Sequence, residues 1–303
     1  MGMDVFEELC AVAGQENVLL SEPMSAHTTF RVGGPADYFV TPDGEEMVRD
    51  LIVLLKEREI PYYVIGNGSN ILVGDKGFRG VVIQIFKKMN RIRTEGETIY
   101  AQAGALLSRI AAQALANELT GFEFASGIPG TLGGAVIMNA GAYGGEMKQV
   151  LSNVCVLTRV GELRVVPAGQ MKMGYRTSSF AENQDIVLSA ELRLERGSAD
   201  SIRSYMEELR ERRILKQPLE YPSAGSTFKR PEGYFAGKLI QDAGLCGFRV
   251  GGAQVSKKHC GFVINRDHAT AADIVELMRQ VADKVEENAG VRLEPEVKQI
   301  GEF

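Results

Sequence analysis

Two glycine-rich segments carry the residues of this chain best suited to gripping an anionic ligand. The first is Gly66-Asn67-Gly68-Ser69-Asn70, which follows the apolar run ending at Ile65 directly. Glycine lets the backbone take positive φ and approach a ligand closely. Successive N–H groups in such a turn form a nest for an anion, and Ser69 and Asn70 add side-chain donors. The turn does not open a long helix in the G-x-G-x-x-G pattern and has no Walker lysine, so neither nucleotide fingerprint applies. A plain tight turn accounts for it equally well. The second segment runs Ser126-Gly127-Ile128-Pro129-Gly130-Thr131-Leu132-Gly133-Gly134-Ala135 and on through Met138-Asn139-Ala140-Gly141-Ala142-Tyr143-Gly144-Gly145. A solvent loop would carry Asp, Lys or Glu, and a flexible linker would lack Ile128, Leu132, Val136 and Ile137. The composition suits backbone packed against a large, flat, partly anionic ligand, with a buried structural turn as the alternative.

Metal chemistry has little to work with. The four cysteines (Cys10, Cys155, Cys246, Cys260) form no Cys-x-x-Cys pair, and the three histidines are His27, His259 and His268. Neither a zinc site nor a disulfide framework is expected, which leaves an organic cofactor. The net charge of −5 and the absence of a long Lys/Arg cluster argue against nucleic acid. The basic run at 210–216 reads as a solvated helix face. No apolar stretch is long enough to span a membrane and no secretory signal opens the chain, so the cytoplasm is the expected location.

Positioning these segments requires a scaffold of about two domains for 303 residues. Helical spacing of apolar residues marks 45–59 and 106–119, and β-branched runs mark strands at 62–65, 81–85, 98–103, 150–158, 163–166 and 186–194. The later strands follow one another without intervening helices, which predicts an α+β fold. A second unit starts near residue 199 with a stripe of Ile202, Tyr205, Met206 and Leu209, ended by Pro218. Beyond a loop at 221–233 come a short helix at 236–243, strands at 252–255 and 262–265, and a last helix from Thr270. Thr270 and Asp273 form a capping box, Gly290 closes the helix, and a final strand follows at 291–300. The expected domains are 1–196 and 197–303.

Six segments in order resemble the UDP-N-acetylenolpyruvoylglucosamine reductase family. They are His27-Thr28-Thr29-Phe30-Arg31-Val32-Gly33-Gly34-Pro35-Ala36, the two glycine-rich segments, Tyr175-Arg176-Thr177-Ser178, Ala224-Gly225-Ser226-Thr227-Phe228-Lys229 and Leu293-Glu294-Pro295-Glu296-Val297. The resemblance implies a two-part FAD-binding domain of the vanillyl-alcohol-oxidase type and a smaller α+β C-terminal substrate domain. It implies non-covalent FAD, NADPH as reductant and UDP-N-acetylglucosamine enolpyruvate as substrate, in peptidoglycan precursor synthesis. The few residues between Ser178 and Ile186 point to the family's shorter subtype, which lacks a tyrosine-bearing insertion.

The same resemblance implies the roles of individual residues. Arg176 stabilises charge on the substrate carboxylate, Ser226 donates a proton, and Glu296 is the acidic partner. The cofactor-binding set is Ile65, Gly66, Asn67, Gly68, Ser69, Asn70, Gly127, Ile128, Pro129, Gly130, Gly133, Gly134, Asn139, Gly141 and Ala142. Weaker substrate contacts are Tyr143, Tyr175, Lys229 and His259. Arg230 stands where the family commonly has asparagine. Without the motifs, Arg176 would be a surface ion-pair arginine, Ser226 a turn serine and Glu296 part of a solvated strand face shared with Glu294 and Lys298. An oxidase of the same architecture is a rival reading, but such enzymes often bind flavin covalently through histidine, and none occurs between His27 and His259. A nucleotide-binding module without chemistry is a second rival, disfavoured by the three intact candidate residues.

Overall fold

The computed structural model describes residues 4–303. Its packing divides the chain into two compact units. The first holds the residues up to Leu19, Phe39–Asn67 and Val82–Arg213; the second holds Leu20–Tyr38, Gly68–Val81 and Ile214–Phe303. The expected boundary near Arg196 lies inside the first unit, and two stretches of the N-terminal half belong to the second.

The first unit is built on a five-stranded antiparallel sheet. Its strands lie in the order Leu163–Pro167, Leu151–Leu157, Ile186–Arg193, Thr98–Gln102 and Ile92–Glu95. Alternation decides the faces: Ile99 and Ala101 are buried while Tyr100 and Gln102 are half-buried on the other side. The helix Leu107–Ala116 buries Leu107, Ile110, Ala111 and Ala114, one face of a 3.6-residue repeat. It ends earlier than the periodicity predicts, because Asn117 leaves helical geometry and Glu118 takes φ +55°. The helix Glu45–Glu57 buries Val48, Leu51, Ile52 and Leu55, each worth roughly 1.5–3 kcal/mol on full burial, and packs against Val5–Ala13. Glu59 at φ +54° and Pro61 stop it short of the predicted end. Between Ser178 and the strand Ile186–Arg193 there is only the short helix Ser179–Asn183.

The strands Val18–Pro23, Pro35–Val40 and Phe78–Gln84 lie where the chain passes from one unit to the other. The first two escaped the sequence reading because their polarity pattern is mixed; Leu19 and Leu20 are exposed.

In the second unit the long helix Ala271–Ala289 buries Ile274, Leu277, Met278, Val281 and Val285. The predicted capping box is present, with Thr270 and Asp273 bonded reciprocally, and Gly290 closes the helix in the left-handed region. Beside it lie the helix Ala236–Asp242 and a three-stranded sheet of Arg249–Val250, Ala253–Val255 and Val263–Asn265. Phe30, Val32 and Leu72 complete this core. Asp75 accepts from the N–H groups of Ala271 (2.7 Å) and Ala272 (2.9 Å), and Ile71–Val73 pairs in parallel with Lys298–Ile300. The predicted strand at 291–300 is therefore only its last three residues. Upstream, Pro295 lacks an N–H and makes just an isolated bridge to Phe228.

The helix Ala199–Lys216 keeps only Ile202 and Leu209 of its predicted stripe buried; Tyr205 is exposed. No helix among the described residues is long and apolar enough to cross a membrane.

Candidate active site

In the first unit the two glycine-rich segments meet. Ile65 ends its strand buried, and Gly66 and Asn67 follow. The Asn67 amide donates to the Pro129 carbonyl at 2.7 Å, and Gln84 Nε2 donates to the Gly66 carbonyl at 3.1 Å. A Cβ on Gly66 would overlap Thr131 Oγ1, so only glycine permits this approach. Thr131 is 1% exposed and its hydroxyl has no hydrogen-bond partner among the described residues. A buried donor of this kind is costly unless a ligand completes it. The turn at Gly127, Ile128, Pro129 and Gly130 then enters the helix Leu132–Ile137. The N–H groups of Leu132 and Gly133 donate to Ala105 and Ala103 at 2.9 and 2.8 Å, which seats the segment on that loop. At Gly134 a Cβ would meet Thr131 Oγ1 at an ordinary contact distance of 3.9 Å. The set thus offers a glycine-lined backbone surface and an orphaned hydroxyl, which fits a large anionic cofactor such as FAD.

The rest of the second segment is a tight hairpin. Gly141 and Ala142 pair with Glu146 and Gly145, and Tyr143 and Gly144 form the turn with φ +52° and +88°. Positive φ at both central positions is a type I′ signature and sets Tyr143 at the exposed tip. Asn139 differs from the other cofactor candidates. It is 2% exposed, its Nδ2 donates to Glu146 Oε2 (2.7 Å) and to the Gly174 carbonyl (3.0 Å), and its Oδ1 accepts from the Lys148 N–H at 2.9 Å.

Arg176 occupies a four-residue turn closed by Gly174 and Thr177, with φ +55°. That left-handed geometry is uncommon for a side chain other than glycine or asparagine, and such strain concentrates at functional positions. Its guanidinium lies 5.3 Å from the centre of the exposed Tyr175 ring. Ser178, fully buried, donates from Oγ to the Ile137 carbonyl at 2.7 Å.

In the second unit Ser226 and Glu296 come together through Thr227. The Glu296 N–H donates to the Thr227 carbonyl at 2.8 Å, one residue from Ser226, and the Lys229 N–H donates to the Glu294 carbonyl at 2.8 Å. Thr227 is buried and its hydroxyl accepts from the Val263 N–H at 2.8 Å. Glu296 is 9% exposed whereas Glu294 and Lys298 are exposed, so the solvated strand face is not what forms. The break in alternation comes from irregular backbone at 293–297. Gly68, Ser69 and Asn70 also belong to this unit: Gly68 is held at φ +63° against the His27 carbonyl, and Asn70 Nδ2 donates to the Glu296 carbonyl at 3.2 Å. The Asn70 carbonyl in turn accepts from the Lys298 N–H at 3.0 Å.

Among the weaker candidates, Lys229 pairs with Glu294 at 3.0 Å on the surface. Arg230 stacks on Phe235, 3.9 Å from the ring centre, and its Nε donates to the Tyr234 carbonyl at 3.2 Å. His259 Nδ1 accepts from the Gly261 N–H at 3.1 Å, and burial pushes the imidazole below its usual pKa. Thr131 and Ser178 carry no functional role that the sequence alone reveals. Both sit inside the motifs that carry the family resemblance, but only packing reveals that one hydroxyl is orphaned and the other anchors a turn.

The chain is similar to known proteins over nearly its whole length. Residues 217–300 match the family described as UDP-N-acetylenolpyruvoylglucosamine reductase, C-terminal domain, and residues 36–166 match the FAD binding domain. A UDP-N-acetylenolpyruvoylglucosamine reductase of Agathobacter rectalis is 56% identical over 301 residues, covering 95% of this chain and 96% of its own. That of Geobacillus thermodenitrificans is 51% identical over 98% of each. The crystal structure of the Thermus caldophilus UDP-N-acetylenolpyruvylglucosamine reductase superposes with a TM-score of 0.80 at 35% identity, over 93% of this chain and 98% of that one. An alkyldihydroxyacetonephosphate synthase, 16% identical with a TM-score of 0.50, covers 65% of this chain and 41% of its own and shares the fold alone.

Proposed function

This chain belongs to the UDP-N-acetylenolpyruvoylglucosamine reductase family, and on that footing we propose the reaction it carries out. It is an FAD-dependent oxidoreductase. In the proposed reaction NADPH supplies a hydride, and the enolpyruvyl ether of UDP-N-acetylglucosamine enolpyruvate is reduced to UDP-N-acetylmuramate for peptidoglycan synthesis in the cytoplasm. FAD, bound without a covalent link, supplies the two-electron relay between them. The residues that would hold it are Ile65, Gly66, Asn67, Gly68, Ser69 and Asn70, the 127–134 segment, and Gly141 and Ala142, with the Thr131 hydroxyl added as a donor.

The protein's own task concerns the substrate. Hydride joins the terminal carbon of the double bond, and the electron pair moves toward the adjacent carbon and its carboxylate. Arg176 forks onto that carboxylate, where a fixed positive charge opposes the developing anion at no cost in reorganisation. Ser226 gives its proton to the adjacent carbon and recovers one from solvent, so hydride and proton together saturate the bond. A hydroxyl is a poor acid in water, and the role depends on its being aimed at a strongly basic carbon. Glu296 hydrogen-bonds the carboxylate beside it. Tyr143, Tyr175, Lys229 and His259 contribute binding.

The observation that carries this reading is the buried Glu296 carboxyl, held one residue from Ser226 by the bond from its own N–H to Thr227. The test follows NADPH oxidation with and without UDP-N-acetylglucosamine enolpyruvate. Consumption that requires this compound and yields UDP-N-acetylmuramate is expected. Equal consumption without it would make oxygen the acceptor and reject the reading.

A further inference from the structure

We propose that Asn139 and Ser178 are positioning residues for Arg176, together clamping its strained turn onto the end of the helix Leu132–Ile137. The inference rests on the reading of Arg176 as the group that holds the substrate carboxylate. Arg176 sits at φ +55° in a turn whose closing bonds, Gly174 N–H to Thr177 O (3.1 Å) and Thr177 N–H to Gly174 O (3.4 Å), are few and partly long. Glycine would occupy that position without strain; arginine does so only where the surroundings hold it. Two side-chain bonds do so from outside. At the entrance Asn139 Nδ2 donates to the Gly174 carbonyl at 3.0 Å, and at the exit Ser178 Oγ donates to the Ile137 carbonyl at 2.7 Å. The anchors Ile137 and Asn139 are two residues apart, so both ends of the turn are tied to one short segment.

The Asn139 amide has a single workable orientation. Nδ2 faces two acceptors, Glu146 Oε2 and the Gly174 carbonyl, while Oδ1 faces the Lys148 N–H. A flipped amide would set oxygen against a carboxylate and a carbonyl, and NH₂ against a donor. Both its amide protons and its oxygen are thereby committed inside the protein. Its contribution to the site is aim: a guanidinium that must fork onto a planar carboxylate loses its effect with small displacements.

The test is a double-mutant cycle read on the two half-reactions by stopped flow. Asn139→Ala and Ser178→Ala should each slow oxidation of the NADPH-reduced enzyme by UDP-N-acetylglucosamine enolpyruvate by about tenfold or more. In Ser178→Ala, FAD content and the rate of flavin reduction by NADPH should stay near those of the unaltered enzyme, and Ser178→Thr, which keeps the hydroxyl, should recover most of the rate. In an Arg176→Ala background the same changes should cost almost nothing further, because nothing is left to aim. Full additivity in that background would overturn the clamp, as would unaltered rates in both single variants, or loss of both half-reactions together in the less disruptive Ser178→Ala. An Arg176→Ala enzyme that is still oxidised by substrate at the normal rate would reject the reading of Arg176 itself. A slow Arg176→Ala enzyme beside fast Asn139→Ala and Ser178→Ala enzymes would reject the clamp alone.

Discussion

Gly66→Ala is the substitution with the sharpest expected effect on the cofactor. Gly66 does not take a positive φ, so alanine can adopt its backbone and the cost is purely one of space. The added methyl would overlap Thr131 Oγ1 and stand 3.3 Å from Thr131 Cβ and 3.5 Å from Cγ2. Thr131 is 1% exposed, so relief requires its buried side chain to turn or the two turns to separate. Overpacking of this kind costs about 1–3 kcal/mol. Expressed on the bound state, that is roughly 5- to 150-fold in FAD affinity. Thr131→Ala in the same chain removes the overlapping atom and Cγ2 and leaves a tight but tolerable contact, so the double variant should bind FAD better than Gly66→Ala alone. Thr131→Ala by itself separates two effects. It removes a buried hydroxyl that lacks a partner, which should leave the melting temperature of the FAD-free protein unchanged or slightly raised. It should weaken FAD by about 1 kcal/mol, or roughly fivefold, if the hydroxyl donates to the cofactor. The assay is titration of apoprotein with FAD followed by flavin fluorescence, with thermal melts of the apoprotein alongside. A Gly66→Ala protein with normal affinity and melting temperature, or a double variant no better than the single, would refute the reasoning.

Glu296→Gln should lower turnover by about 10²–10³-fold while flavin reduction by NADPH survives in single-turnover experiments; loss of both would reject its role. Asp75→Ala deprives the Ala271 and Ala272 N–H groups of their acceptor and should cost about 1–2 kcal/mol. Thermal melts should register that as a fall of ~2–8 °C, and no change would mean the cap is redundant with Thr270. Burial lowers the His259 pKa from 6.5, so the unfolded chain takes up a proton that the folded one resists. Stability should therefore be full above pH 6.5 and decline as the pH falls below it, and His259→Asn should flatten that part of a melting-temperature profile. An unchanged profile in the variant would remove His259 as the cause. Asp273 behaves in the opposite chemical class but with the same slope: burial opposes its anion, yet the bonds from Thr270 and Gly252 outweigh this and hold its pKa below 3.8. The capping box should contribute above that pH and fade as acid protonates it, which Asp273→Asn would abolish in acid melts.

Features governed by local chemistry were legible from the amino acids. The helix Ala271–Ala289 reads directly from Thr270, Asp273, the apolar stripe and Gly290, because capping and 3.6-residue spacing act over a few residues. The ligand-gripping composition of each glycine-rich segment was legible, but their meeting, and Thr131 at the point of contact, became visible only once Gly66 was seen against it. The helix Ala199–Lys216 showed a stripe that packing leaves half uncovered, since periodicity says which residues could be buried and not whether anything covers them. The alternation at Glu294, Glu296 and Lys298 suggested an exposed face, and the irregular backbone around Pro295 turned Glu296 inward. The seating of Phe30, Val32 and Leu72 in the core of the second unit could not be read at all. Nothing near them in the chain records a partner some two hundred residues away.

That interleaving has a consequence for how the protein is made. When Phe30, Val32 and Leu72 leave the ribosome, the helix Ala271–Ala289 that buries them has not been translated. The strand Ile71–Val73 must likewise await Lys298–Ile300, a pairing across more than two hundred residues. Such distant closures are slow and leave apolar surface exposed in the interval. The nascent chain thus carries uncovered apolar surface until nearly all of it has emerged, and a late nonsense codon that removes only the final strand would release a protein in which Ile71–Val73 lacks its parallel partner.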